Sequence, residues 1–177
     1  HRVTVSTTYA SRGSLKLRHA LDTFHIDPTN LVCADLGAST GGFTDVLLQR
    51  GAAKVYAVDV GYGQLHPKIR NDPRVVVRER ENARALTAAA LGERVELVTG
   101  DLSFISLRLI LPAVKAILRP GGEVVLLVKP QFEVGKGEVG KGGVVRDDAK
   151  RLAALETVEA AARALGFEVV GRAESPI

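Results

Sequence analysis

Cysteine is nearly absent, with one residue, Cys33, in a chain of 177. No disulfide can form within the chain, and the setting of Cys33 in the apolar run Leu31-Val32-Cys33-Ala34 reads as a buried thiol in a cytoplasmic protein. The four histidines, His1, His19, His25 and His66, lack ligand spacing and have no cysteine cluster to join, so no metal site is expected. No apolar run approaches the length of a membrane span and no signal-peptide pattern opens the sequence, so neither a membrane partner nor a secreted precursor is expected. Internal repeats are missing as well. What remains is an ordinary globular composition, 46% hydrophobic and 25% charged, of a length that suits one domain. The net charge of +4 and pI of about 9.4 are compatible with a polyanionic partner.

Periodicity predicts alternating strands and helices. After the short alternating run Arg2-Val3-Thr4-Val5, small and polar residues lead to Gly13 and read as an arriving linker. A helix with Leu15, Leu17, Ala20, Leu21 and Phe24 on its apolar face follows, and Asp27-Pro28 marks its end. Strands are expected at 31–35, 54–59, 75–77, 95–101, 123–130 and 167–170, with helices after Gly42, from about 81, from 107 to 118 and from 147 to 165. The alternation predicts an α/β, doubly wound, mostly parallel sheet with helices on both faces.

The most informative stretch is Asp35-Leu36-Gly37-Ala38-Ser39-Thr40-Gly41-Gly42-Phe43-Thr44, a strand end breaking into a glycine turn that opens a helix. Against the dinucleotide fingerprint G-x-G-x-x-G, Gly37 and Gly42 fit, but Ser39 stands where the backbone must come closest to a pyrophosphate. Asp35 would repel a phosphate and attract a cation. S-adenosylmethionine, which joins an amino acid, a sulfonium and an adenosine without any phosphate, matches these preferences. The expected cofactor-binding residues are Asp35 near its amino-acid part, the turn residues Gly37, Ala38, Ser39, Thr40, Gly41, Gly42 and Phe43, Asp59 on the ribose, and Asn82 and Asp101. The alternative is that Asp35 and Asp59 only cap strand ends.

Asp101 and Lys129 end two further strands and should meet at the same crevice. An amino acceptor on a base would call for an Asp/Asn-Pro-Pro-aromatic segment, where this chain has Asp101-Leu102-Ser103-Phe104. Attack on a cytosine carbon would need a thiolate, and Cys33 is misplaced for it. A hydroxyl acceptor remains, whose proton a lysine of depressed pKa could handle; Lys129 would be depressed beside a second ammonium, with Asp101 holding the pair in register.

Ser11-Arg12-Gly13-Ser14-Leu15-Lys16-Leu17, the glycine turn, Asp59-Val60-Gly61-Tyr62-Gly63-Gln64-Leu65, Asp101-Leu102-Ser103-Phe104-Ile105-Ser106-Leu107 and Val128-Lys129-Pro130-Gln131-Phe132-Glu133-Val134-Gly135 together resemble the TlyA family. Its members, also named haemolysins, are ribosomal RNA 2'-O-methyltransferases related to FtsJ. The resemblance implies a Rossmann-like class I methyltransferase acting on ribosomal RNA or a ribosomal subunit. It matches Lys16, Asp101 and Lys129 to the first three members of a Lys-Asp-Lys-Glu catalytic tetrad, making Lys16 the second ammonium. The family's glutamate follows a Ser-Pro-x-x-Gly-Pro stretch that this chain enters at Ser175-Pro176-Ile177. The implied organisation is a linker over 1–13 from a small S4-like RNA-binding domain, then the methyltransferase domain over 14–177 without its last, antiparallel strand. Strand 167–170 is then expected at an edge or without its partner, and a polypeptide of these residues alone is expected to be inactive on ribosomal RNA.

Blander readings stand beside these. Lys16 can be a solvated helix lysine, Asp101 and Lys129 a structural ion pair, and Arg12, Lys68, Lys136, Lys141 and Arg146 either phosphate contacts or solvated surface. Membrane lysis and a cofactor-holding RNA module without catalysis are the competing function classes.

Overall fold

In the computed structural model the described residues are 2–7, as backbone, together with 13–133 and 148–174. Arg12, Lys136, Lys141 and Arg146 lie outside them. The elements in chain order are β1 (Arg2–Thr7), α1 (Gly13–Thr23), β2 (Val32–Leu36), α2 (Gly42–Gln49), β3 (Lys54–Val58), α3 (Pro67–Arg70) and β4 (Val75–Arg78). Then come α4 (Ala88–Leu91), β5 (Val95–Gly100), α5 (Leu107–Ile117), β6 (Leu118–Val128), α6 (Asp148–Ala164) and β7 (Glu168–Glu174). Short 3-10 turns fall at Ala83–Ala85 and Pro130–Phe132.

Seven strands form one sheet in the order β4-β3-β2-β5-β6-β1-β7, and every pairing among them is parallel. From β2 the chain winds outward to β4, then returns to start β5 on the other side of β2. That reversal puts the topological switch point, where open α/β sheets bind ligands, between the carboxyl ends of β2 and β5.

Side-chain alternation along the strands divides the core into two layers. Cys33, Val55, Leu97 and Val125 face α1 and α2, meeting Leu17, Leu21, Val46 and Leu47. Their neighbours Ala34, Tyr56, Val98 and Val124 face the other way, against Leu107, Ile110 and Val114 of α5 and Val158 and Ala162 of α6. Cys33 is the buried thiol expected, 0% exposed, and burial pushes its pKa up to about 12, so it is protonated and inert at neutral pH. Among the described residues no helix is long and apolar enough to cross a membrane.

Two expectations need correction. Residues 2–7 are not linker: they form β1, inserted between β6 and β7 with Val3 opposite both Val124 and Val169. Consequently β7 has a partner, although it lies at the sheet edge. An alternating run of this length can complete a ladder wherever strand edges are open, and local pattern carries no information about which edge it joins. The Arg119-Pro120-Gly121-Gly122 stop does end α5 at Ile117, but the stop itself runs straight into β6, where the register against β5 slips between Val95 and Leu97.

Candidate active site

The cleft starts from a backbone constraint. Gly37 has φ of +78°, and a Cβ there would collide with the backbone carbonyl of Asp101. Leu36 and Gly100 are in register on β2 and β5, so the two chains leave the sheet in contact, and only a residue without a side chain can turn there. The Gly37 amide donates to Val58 O at 2.8 Å and the Asp101 amide to Leu36 O at 3.0 Å, fixing both strand ends.

Two cavities open above this point. A smaller one, about 190 Å³, is lined by Gly37, Ala38, Ser39, Thr40, Gly42 and Phe43 from the turn, with Gly13, Ser14, Asp101, Ser103 and Lys129. The larger, about 500 Å³, is lined on its polar side by Asp59, Gln64, Glu81 and Asn82 and on its apolar side by Leu102, Phe104, Ile105 and Ile110. Gly37, Ser39, Asp101 and Ser103 belong to both. The larger volume alone is within the range of small-molecule sites.

Asp59 ties the two loops of this region together, accepting from the Ser39 amide at 2.5 Å and the Gly61 amide at 2.8 Å. Asn82 starts its turn by accepting from the Arg84 amide at 3.0 Å. Asn82 also lines the larger cavity. Gly41, with φ of +106°, caps α2 against Ile69 and Leu65 and is not among the lining residues.

Asp35 is placed differently from the expectation. It is 0% exposed and lines neither cavity; it sits behind the turn, accepting from Thr44 Oγ1 at 2.7 Å and Thr99 Oγ1 at 3.2 Å. Its residue type at a strand end suggested a ligand contact, but its place in β2 directs it to the α2 side of the sheet, where it braces the start of α2. Burial raises its pKa to about 7, against the opposing threonine hydrogen bonds. A carboxyl whose pKa is raised on folding contributes stability that is full below its unfolded value of 3.8 and lost as pH climbs through about 7. Stability measured by denaturant unfolding should therefore fall across that interval, and Asp35→Asn should flatten the fall. An unchanged pH slope in the variant would show that Asp35 titrates normally.

The three expected catalytic residues do converge electrostatically. Lys129 Nζ lies 2.6 Å from Asp101 Oδ1, with Lys129 only 5% exposed. Lys16, on α1, is 1% exposed. Its pKa is lowered to about 8, first by burial, with the Lys129 charge adding to the fall and Asp101 opposing it. The reading of Lys16 as a solvated helix lysine therefore fails.

Ser103 escaped the sequence reading. Its hydroxyl accepts from Lys129 Nζ at 2.8 Å, an arrangement signalled only by a small polar residue two places after a strand-end acid. Farther along, Glu133 receives Ser106 Oγ at 2.5 Å and the Leu107 amide at 2.7 Å. It thereby clips the segment after Lys129 onto the start of α5. Phe104, 90% exposed and left-handed at φ 64°, lies against Phe132 with ring centroids 5.2 Å apart.

An open parallel sheet with this switch point, a phosphate-averse glycine turn and an acid-and-lysine cleft defines a Rossmann-like domain of the methyltransferase class. The chain belongs to the FtsJ-like methyltransferase family, whose model matches residues 9–177. It is 56% identical over 169 residues to the 16S/23S rRNA (cytidine-2'-O)-methyltransferase TlyA of Mycobacterium tuberculosis, covering 96% of this chain and 63% of that protein. Hemolysin A of Brachyspira hyodysenteriae is 44% identical over 170 residues, covering 96% of this chain and 71% of that one. The crystal structure of a Lactococcus lactis protein described as a hemolysin matches with a TM-score of 0.85 at 50% identity, covering 89% of this chain and 76% of that chain. The family resemblance read from the motifs thus holds. The chain spans less than two thirds of the length of the M. tuberculosis relative.

Proposed function

We propose that this chain transfers a methyl group from S-adenosylmethionine to a ribose 2'-hydroxyl of ribosomal RNA. The observation that carries the reading is the Lys129–Asp101 ion pair, in which Asp101 lines both cavities and Lys129 the smaller, with Lys16 buried close enough to feel both charges. Ordinary phosphate cofactors fit poorly, because the Ser39 amide, a natural phosphate donor in such a turn, is already held by the Asp59 carboxylate. Asp59 and Asn82 would hold the adenosine end and the glycine turn the amino-acid end. Bound S-adenosylmethionine supplies a methyl group on a sulfonium, and the carbon–sulfur pair returns to sulfur as neutral S-adenosylhomocysteine leaves.

The chain's own residues handle the acceptor. Lys129, steered by Asp101 and Ser103, orients the hydroxyl oxygen so that its lone pair forms the new carbon–oxygen bond. The hydroxyl proton needs a neutral amine to receive it, and Lys16, its pKa lowered to about 8, supplies one. On the apolar side of the larger cavity, the exposed Phe104 ring offers a stacking face for an unpaired base, a mode used in single-stranded RNA recognition.

Mapping methyl label on ribosomal subunits incubated with the full-length protein and labelled S-adenosylmethionine tests the reading. Label on a ribose 2'-oxygen is expected; label on a base, or on no nucleotide, overturns it. Asp59→Ala should weaken S-adenosylmethionine binding by about tenfold or more in calorimetry, since it frees the Ser39 and Gly61 amides and removes a ribose acceptor. Unchanged affinity would remove Asp59 from the site. At saturating substrates kcat should climb about tenfold per pH unit below about 8 and level off above it, and Lys16→Met should lose that limb along with most activity. A profile already flat from neutral pH upward would show that Lys16 does not need to be neutral.

A further inference from the structure

The geometry points to Ser103 as a positioning residue for Lys129, an assignment that rests on the 2'-O-methyl transfer reading above. An ammonium has three N–H groups. Lys129 aims one of them at Ser103 Oγ, 2.8 Å away, whereas Asp101 Oδ1, 2.6 Å from Nζ, holds the ammonium by charge without hydrogen-bond geometry. With Asp101 alone, the ammonium could swivel about a single contact; with Ser103 as a second anchor it cannot. Because the serine oxygen accepts from Lys129, its own proton is turned away from that amine.

Location supports the role. Ser103 lines both cavities, so it stands where the adenosine and amino-acid ends of the proposed methyl donor would join. It is exposed, whereas Lys129 is 5% exposed, so the serine forms the lip of the cleft and the lysine its floor. The segment bearing Ser103 is anchored at both ends. Asp101 N is bonded to Leu36 O at 3.0 Å, and Glu133 holds Ser106 Oγ at 2.5 Å and Leu107 N at 2.7 Å. A hydroxyl on a segment pinned on both sides is a fixed reference point, and a misdirected catalytic group costs rate rather than affinity.

The test compares the full-length protein with Ser103→Ala and Ser103→Thr, measuring kcat and KM on ribosomal subunits and S-adenosylmethionine affinity by calorimetry. Ser103→Ala should lower kcat roughly tenfold while KM and cofactor Kd stay within about twofold, and Ser103→Thr, which keeps the hydroxyl, should recover most of the rate. Alanine at this exposed position leaves no cavity, and retained cofactor binding reports that the variant is folded. Wild-type kcat in Ser103→Ala, a change confined to KM, equal losses in both variants, or lost cofactor binding would each overturn the assignment. If the wild-type protein itself methylates no ribose, the functional reading fails and this one with it; if it does and Ser103→Ala matches it, the Ser103 assignment fails alone.

Discussion

Lys129→Ala is expected to lower methyl transfer by the full-length protein by about 10³-fold or more, with S-adenosylmethionine affinity changed only a few-fold. The side chain is 5% exposed and salt-bridged to Asp101, so its ammonium is held in place on a largely buried stem, and a pre-placed charge acts more strongly on developing charge than a free one in water. Removing it leaves Asp101 facing Lys16 alone and gives the acceptor oxygen no donor. Lys129→Arg should not rescue the rate, because a longer, planar guanidinium fork cannot reproduce the placement of the compact ammonium against Asp101 and Ser103. Single-turnover transfer to ribosomal subunits, beside calorimetry with S-adenosylmethionine, checks this. Near-normal turnover in the alanine variant would reduce the Lys129–Asp101 pair to a structural tie between β5 and β6.

Gly37→Ala is the second large effect, this time on folding and the cofactor together. The new Cβ would run into the Asp101 carbonyl at a backbone φ of +78°, where L side chains are already strained. Neither side can yield cheaply, because Gly37 N is bonded to Val58 O and Asp101 N to Leu36 O. A loss of about 3 kcal/mol or more in unfolding free energy is expected, with cofactor binding weakened beyond tenfold. Gly63 supplies the control: its φ is +71°, but a Cβ there meets nothing within 4 Å. Gly63→Ala should cost only about 1 kcal/mol, from the backbone alone. Equal costs at the two positions in urea unfolding would show that the contact between the β2 and β5 ends is not what requires Gly37.

Much of the architecture was legible because the signals were local. The apolar runs at 54–59 and 95–101 became β3 and β5 almost without change, and the helix expected from 107 to 118 became α5 (Leu107–Ile117). The Gly37 to Gly42 turn was legible for the same reason: a strand, a glycine break and a helix are written in consecutive residues. Short helices such as α3 and α4, four residues each, were not, since one turn of helix leaves no periodicity to detect.

By itself, the sequence determined the alternation of strands and helices and the strand, glycine turn and helix around Gly37 to Gly42, and it put forward Asp101 and Lys129 from their strand-end places and Lys16 from the family resemblance. Only the tertiary structure decided that β1 enters the sheet between β6 and β7, that Asp35 braces α2 from behind the turn, that burial lowers the pKa of Lys16, and that Ser103 accepts a hydrogen bond from Lys129. The division has one physical cause. Backbone preference and hydrophobic period act between residues near in sequence. Burial, charge coupling and hydrogen bonds across a cleft instead depend on which distant segments meet, as Lys16 on α1 meets the charges at the ends of β5 and β6.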